Sequence, residues 1–137
     1  MQTARGFVYR GRVSPPHTDD SSRVALVTGG CSGIGKAIAE RLAARGHSLV
    51  LVSERADALD AVASEIRAKH RVAVHPVTVD LARPEAAAEL HAAITGRGLV
   101  VDILVNNAGW FFFGETVDAD PARAAAMLQL HVVTPSL

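Results

Sequence analysis

From Arg23 onward, apolar and polar positions alternate in regular blocks. Val24-Ala25-Leu26-Val27 is a short unbroken apolar run ending at a cluster of glycines, the pattern of a strand buried on both faces. Ile34, Ile38 and Leu42 recur at four-residue steps and predict a helix with one apolar face, stopped by Gly46. Leu49-Val50-Leu51-Val52 reads as a second strand. Leu59, Val62, Ala63 and Ile66 predict a second amphipathic helix ending near Lys69-His70. A third strand lies within Val72 to Val79. Pro84 suits the first turn of a third helix, with Ala87, Leu90 and Ile94 as its inner face and Gly96 and Gly98 as its stops. Ile103-Leu104-Val105 predicts a fourth strand. Pro121 opens a last helix that runs toward the C-terminus, with Pro135 close to its end.

Strands alternating with helices of this length imply right-handed crossovers and a parallel sheet. The fold class is therefore α/β, a doubly wound parallel sheet, over residues 23–137. Residues 1–22 differ. They show no helical or strand period, and Ser14-Pro15-Pro16-His17-Thr18-Asp19-Asp20-Ser21-Ser22 has linker composition. The expectation is a flexible N-terminal extension. A basic arm built on Arg5, Arg10 and Arg12 is the alternative, but three arginines are few for tight binding.

A length of 137 residues leaves room for one domain. Lys plus Arg equals Asp plus Glu at 14 each, which argues against a nucleic-acid partner bound by broad phosphate neutralisation. The single cysteine, Cys31, excludes a disulfide-stapled scaffold. No apolar run approaches the roughly 18–20 residues of a membrane helix. The N-terminus carries only Phe7-Val8-Tyr9 between arginines where a signal peptide would have its apolar core. The expectation is a cytoplasmic protein with no membrane partner. The six histidines are scattered and no pair has metal-ligand spacing, so no metal is expected.

The first strand runs into Thr28-Gly29-Gly30-Cys31-Ser32-Gly33-Ile34-Gly35, and a helix follows at once. A helix N-terminus presents backbone N–H groups and partial positive charge, so it binds phosphate. Glycines permit the sharp turn and let a pyrophosphate approach the backbone. The spacing is T-G-x-x-x-G-x-G. A P-loop is excluded, because Lys36 is followed by Ala37.

This spacing resembles the short-chain dehydrogenase/reductase family. Asn106-Asn107-Ala108-Gly109 after the fourth strand matches the family's N-N-A-G motif. Asp80-Leu81 matches its acidic-apolar pair beside the adenine, and the helix from Pro121 through Met127-Leu128-Gln129-Leu130-His131-Val132 resembles its fourth helix. The resemblance covers about residues 23–137. It implies a Rossmann-type sheet of strand order 3-2-1-4 and a dinucleotide cofactor. By this similarity the turn residues Gly29, Cys31, Ser32, Gly33, Ile34 and Gly35 hold the pyrophosphate and nearby ribose. Asp80 accepts from the adenine amine and the Leu81 backbone pairs with the ring. Asn107, Ala108 and Gly109 line the floor under the ribose and nicotinamide. A capping role for Asp80 and a plain strand-ending turn at Asn107 are the structural alternatives.

Cofactor choice turns on the end of the second strand, where an acidic residue binds the ribose hydroxyls of NAD. Here that position is Ser53, followed by Glu54 and Arg55. Ser53 and Arg55 suit a 2′-phosphate, whereas Glu54 opposes one. The balance favours NADP, with NAD the alternative. His131 stands where the family carries an Asn of its proton-relay group. At helical spacing it shares a face with Ala124, Met127 and Leu128 and is expected to point inward, either holding a water or as a hydrogen-bonded buried histidine. Trp110-Phe111-Phe112-Phe113 lies where the family has a loop near the substrate mouth. It packs over the nicotinamide or a hydrophobic substrate, or else forms core or subunit contacts.

The family's chemistry uses a Ser and a Tyr-x-x-x-Lys pair after the fourth helix. In this sequence the only tyrosine is Tyr9, and Val13 stands four residues on. The resulting expectation is the N-terminal, cofactor-binding part of a truncated oxidoreductase. Such a chain acts on a small carbonyl or alcohol substrate in its parent enzyme and is not catalytic alone. A stand-alone nucleotide-binding or regulatory module and a non-functional remnant are the alternatives. With the fourth strand as an open edge, marginal stability, an oligomer or a sheet-completing partner is expected.

Overall fold

The computed structural model describes residues 23–118 and 120–137. The expected N-terminal extension lies outside the described residues. The elements follow in the order β1 (Val24–Thr28), α1 (Gly33–Ala44), β2 (Ser48–Ser53), α2 (Ala56–His70), β3 (Val74–Thr78), α3 (Ala86–Thr95), β4 (Ile103–Val105) and α4 (Pro121–Leu128). The four strands form one sheet of order β3-β2-β1-β4. Every pairing is parallel, with Val27 opposite Leu51 on one side and Val105 on the other.

Side chains alternate across the pleat and so build two cores. Ala25, Val27, Leu49 and Leu51 face α1 and α2, meeting Ala39, Ala43, Leu59, Val62, Ala63 and Ile66. Leu26, Val50, Val52 and Val77 face the other way, toward Leu81, Ala86, Ile94 and Leu130. Both faces are thus covered, which is why β1 and β2 read as unbroken apolar runs. Leu49, Leu51, Leu59 and Ile66 are fully buried, each worth about 1.5–3 kcal/mol in removed apolar surface.

Several local expectations are corrected. In α1 the buried residues are Gly35, Ala39 and Ala43. Ile34, expected with Ile38 and Leu42 on the apolar face, is 74% exposed. Small side chains set the inner face because they allow the helix to lie close to the sheet. Helix α3 begins at Ala86, two residues after Pro84, because the Asp80 carboxylate accepts Ala82 N–H at 2.9 Å and holds residues 80–85 in turns. Strand β3 spans Val74–Thr78, within the expected 72–79, and follows the left-handed Arg71 (φ 59°) that ends α2.

The last helix ends at Leu128 and gives way to a π-helical turn, Gln129–Val133. There Thr134 N–H reaches Gln129 O, five residues back. Leu130 is buried, whereas Leu128 and His131 are exposed. His131, expected inward, is exposed, yet its ring turns onto Gly109 and the Trp110 backbone. The Thr134 hydroxyl donates to Leu81 O at 2.8 Å and pins this segment beneath α3.

The two sheet edges differ. Pro76 sits in β3, an edge strand, where its missing N–H costs nothing. Arg67 from α2 donates to the outward carbonyl of Val74, and Arg97 to that of Pro76 at 3.2 Å. The outer edge of β4 pairs with no described strand, and Leu104 and Val100 beside it are 58% and 57% exposed.

Candidate cofactor site

All four strands point their carboxyl ends at the same rim. The loops after β1 and β4 meet there at the switch point of the strand order, which is where ligands bind in open α/β sheets. Gly29 (φ +65°) turns the chain away from β1, and its N–H donates to Val52 O at 2.8 Å, with Gly30 N–H on the same carbonyl at 3.3 Å. A Cβ on Gly35 would strike the Gly29 carbonyl and lie 2.5 Å from Asn107 Nδ2. Gly35 is therefore a packing glycine. Gly33 is different. At φ +52° a Cβ there would meet nothing within 4 Å, so its face is open to an incoming group. Ser32 is the N-cap of α1 but its hydroxyl makes no capping bond. Open backbone, a free hydroxyl and a helix N-terminus together fit a phosphate.

Thr28 organises the other wall. The side chain is 5% exposed. Its hydroxyl accepts Asn107 N–H and Ala108 N–H, each at 2.9 Å, and donates to Val105 O at 3.4 Å. All three bonding positions of that hydroxyl are used. Asn107 returns the contact through Nδ2, which donates to Thr28 O at 2.9 Å. The sequence motif contained Thr28 without giving it a role; a polar residue closing a buried apolar run was the available signal.

At the end of β2, the Ser53 hydroxyl lies 3.1 Å from Cys31 Sγ and accepts Arg55 N–H at 3.2 Å. Cys31, grouped by sequence with the phosphate turn, directs its side chain into the core shared with α1 and α2. Arg55 occupies the N-cap position of α2 and makes no side-chain cap. One Asp80 oxygen is engaged with Ala82 N–H. The Leu81 side chain is buried, and its carbonyl receives the Thr134 hydroxyl. Ile34 opens α1 with its side chain in solvent.

His131 joins the rim from the C-terminal segment. A Cβ on Gly109 would lie 2.5 Å from His131 Cε1, so a side chain there would displace this ring. His131 Nε2 is 3.2 Å from Trp110 N and 2.8 Å from Trp110 O. Unprotonated, it accepts from the amide; protonated, it donates to the carbonyl. Arg123 stacks over Trp110 and Phe112, at 5.8 and 5.2 Å from the ring centroids. Phe111 and Phe113 meet edge to face at 5.2 Å and project outward, Phe113 91% exposed.

Among the described residues no helix is long and apolar enough to cross a membrane. An apolar trough of about 770 Å³ runs beside β4, between α3 and the C-terminal segment.

The short chain dehydrogenase family model matches residues 23–135. The chain is 44% identical over 85 residues to the very-long-chain 3-oxoacyl-CoA reductase of Bos taurus, covering 62% of this chain and 27% of that one. L-sorbose reductase from Gluconobacter frateurii, solved with NADPH and L-sorbose, superposes with a TM-score of 0.80 at 36% identity, covering 85% of this chain and 44% of that one. A short-chain dehydrogenase from Sphingobium yanoikuyae, solved with NADPH, gives 0.76 at 35% identity, covering 83% and 44%. The chain thus spans less than half the length of these relatives. With the 3-2-1-4 parallel sheet, the glycine turn and the Asn107 clamp in place, the chain belongs to the short-chain dehydrogenase family.

Proposed function

We propose that residues 23–137 are the NADP-binding part of an oxidoreductase that interconverts a carbonyl and an alcohol by hydride transfer. The observation that carries this reading is the open glycine face at Gly33, set between the uncapped Ser32 and the wall that Thr28 and Asn107 hold rigid. The bound dinucleotide supplies the hydride acceptor or donor. The chain's own residues bind and orient it. The Gly29–Gly35 turn and Ser32 hold the pyrophosphate. The free oxygen of Asp80 accepts from the adenine amine. Asn107, Ala108 and Gly109 keep the floor beneath the ribose and nicotinamide narrow. Ser53 and Arg55 receive a 2′-phosphate, a preference supported by the absence of a carboxylate at position 53 and by the NADPH in two similar structures.

His131 occupies the relay position and holds the Trp110 backbone in register with the floor. Residues 1–137 contain no Tyr-x-x-x-Lys, so in this reading the stretch binds cofactor and does not turn over substrate by itself. The finished β3 edge and the bare β4 edge support a further strand on β4, from the rest of a longer protein or a sheet-completing partner.

Titration calorimetry of the full chain with NADP, NAD and ATP tests the reading. NADP binds with a single site and ATP fails to displace it. A folded chain that binds neither dinucleotide contradicts the proposal.

A further inference from the structure

We infer that Cys31 is a positioning residue for cofactor choice: with the backbone N–H of Arg55, its thiol fills the acceptor positions of the Ser53 hydroxyl and leaves the Ser53 proton for a 2′-phosphate. The inference rests on the NADP reading above and deepens it.

A serine hydroxyl has one proton and two lone pairs. One lone pair of Ser53 takes Arg55 N–H at 3.2 Å. Cys31 Sγ stands 3.1 Å away and either donates to the second lone pair or accepts the Ser53 proton. An anionic oxygen decides between them. An O–H···O⁻ bond is roughly twice as strong as a neutral one, so the Ser53 proton goes to the phosphate and the thiol proton turns to Ser53 Oγ. In that state Ser53 can donate and cannot accept. A 2′-phosphate, which offers only acceptors, is matched. The free 2′-hydroxyl of NAD is neutral and forces neither proton to turn, so it gains nothing from the thiol. Cys31 acts through Ser53 and not on the ligand, because its side chain is only 9% exposed and packs in the core. The N-terminus of the fifteen-residue α2 directly follows, and its orphan N–H groups add positive potential at the same place.

The experiment measures NADP and NAD dissociation constants on the full chain for wild type, Cys31→Ala, Cys31→Ser and Ser53→Ala, with folding checked by circular dichroism. Ser53→Ala lowers NADP affinity about tenfold or more and changes NAD affinity little. Cys31→Ala lowers the NADP-to-NAD preference about threefold to tenfold. Cys31→Ser, which restores a donor to Ser53, returns the preference to near wild type. If Cys31→Ala fails to fold, the Cys31→Ser and Ser53→Ala ratios still decide. The inference is overturned if Cys31→Ala leaves the ratio unchanged, if it weakens both cofactors equally as a packing defect would, or if Cys31→Ser loses the ratio. It is also overturned if Ser53→Ala leaves the ratio as it was. If the folded wild-type chain binds neither dinucleotide, the cofactor reading fails with it; if both bind and Cys31 is indifferent, only the present inference fails.

Discussion

The Thr28 hydroxyl accepts the backbone N–H of Asn107 at 2.9 Å, across 79 positions of sequence. This bond, with its twin to Ala108 N–H, joins the end of β1 to the loop after β4 and closes the switch point of the sheet. Thr28→Val keeps the shape and removes the acceptor. Two part-buried N–H groups then lose their partner, at a cost of about 1–3 kcal/mol for each such group. Urea denaturation of the variant should show a loss in that range or above, with an unchanged m-value.

Gly35 makes the same wall from the other side. Gly35→Ala drives a methyl group against Gly29 O and Asn107 Nδ2. Overpacking of this kind costs about 1–3 kcal/mol, and here it also displaces the phosphate turn. The variant should melt lower and bind NADP more weakly. Gly33→Ala meets no neighbour, but a side chain at φ +52° is strained. Its packing should survive while cofactor affinity falls, so the two glycines separate by the ratio of binding loss to stability loss.

The contrast between these glycines marks how far the sequence was readable. The alternation of strands and helices and the glycine turn follow from patterns with strong physical causes: buried runs such as Leu49–Val52 and the spacing from Thr28 to Gly35; the strand order rests on the family resemblance alone. The misread parts depend on tertiary context. Ile34 and Ile38 have helical spacing, yet Gly35, Ala39 and Ala43 face the sheet, because closeness of approach outweighs hydrophobicity of the stripe. His131 meets the Trp110 backbone, 21 residues away in sequence, a contact that no local pattern announces. The Cys31–Ser53 contact joins residues 22 apart in sequence and is visible only once β1 and β2 lie side by side.

His75 on β3 gives a pH prediction. Burial, with Arg97 and Arg67 nearby, holds its pKa below the ordinary histidine value. The unfolded chain then binds more protons than the folded one between the depressed and ordinary values. The stability contribution is complete above the ordinary value and is lost as pH falls through that window. Melting temperature should drop as pH falls below the ordinary histidine value of about 6.5, and His75→Gln should flatten the decline. An unchanged slope in the variant would assign the acid sensitivity elsewhere.

The bare edge of β4 predicts association. Leu104 and Val100 are exposed beside an edge that pairs with no described strand, a template for strand pairing. Sedimentation of the 137-residue chain should show concentration-dependent self-association that Leu104→Lys reduces. A monomer that unfolds in one cooperative step would show that this edge needs no partner.

The proposed dinucleotide sits at the rim where Gly33, Thr28 and Asn107 converge. The chain has one tryptophan, Trp110, three residues past Asn107 in the same loop. Titrating NADPH into the full chain while exciting Trp110 reads this site directly, because the reduced nicotinamide accepts energy from indole. A bound nicotinamide gives saturable quenching of Trp110 with matching sensitised emission, lost in Gly33→Asp. A folded chain whose Trp110 emission shows no saturable response to NADPH or NADH would contradict this placement.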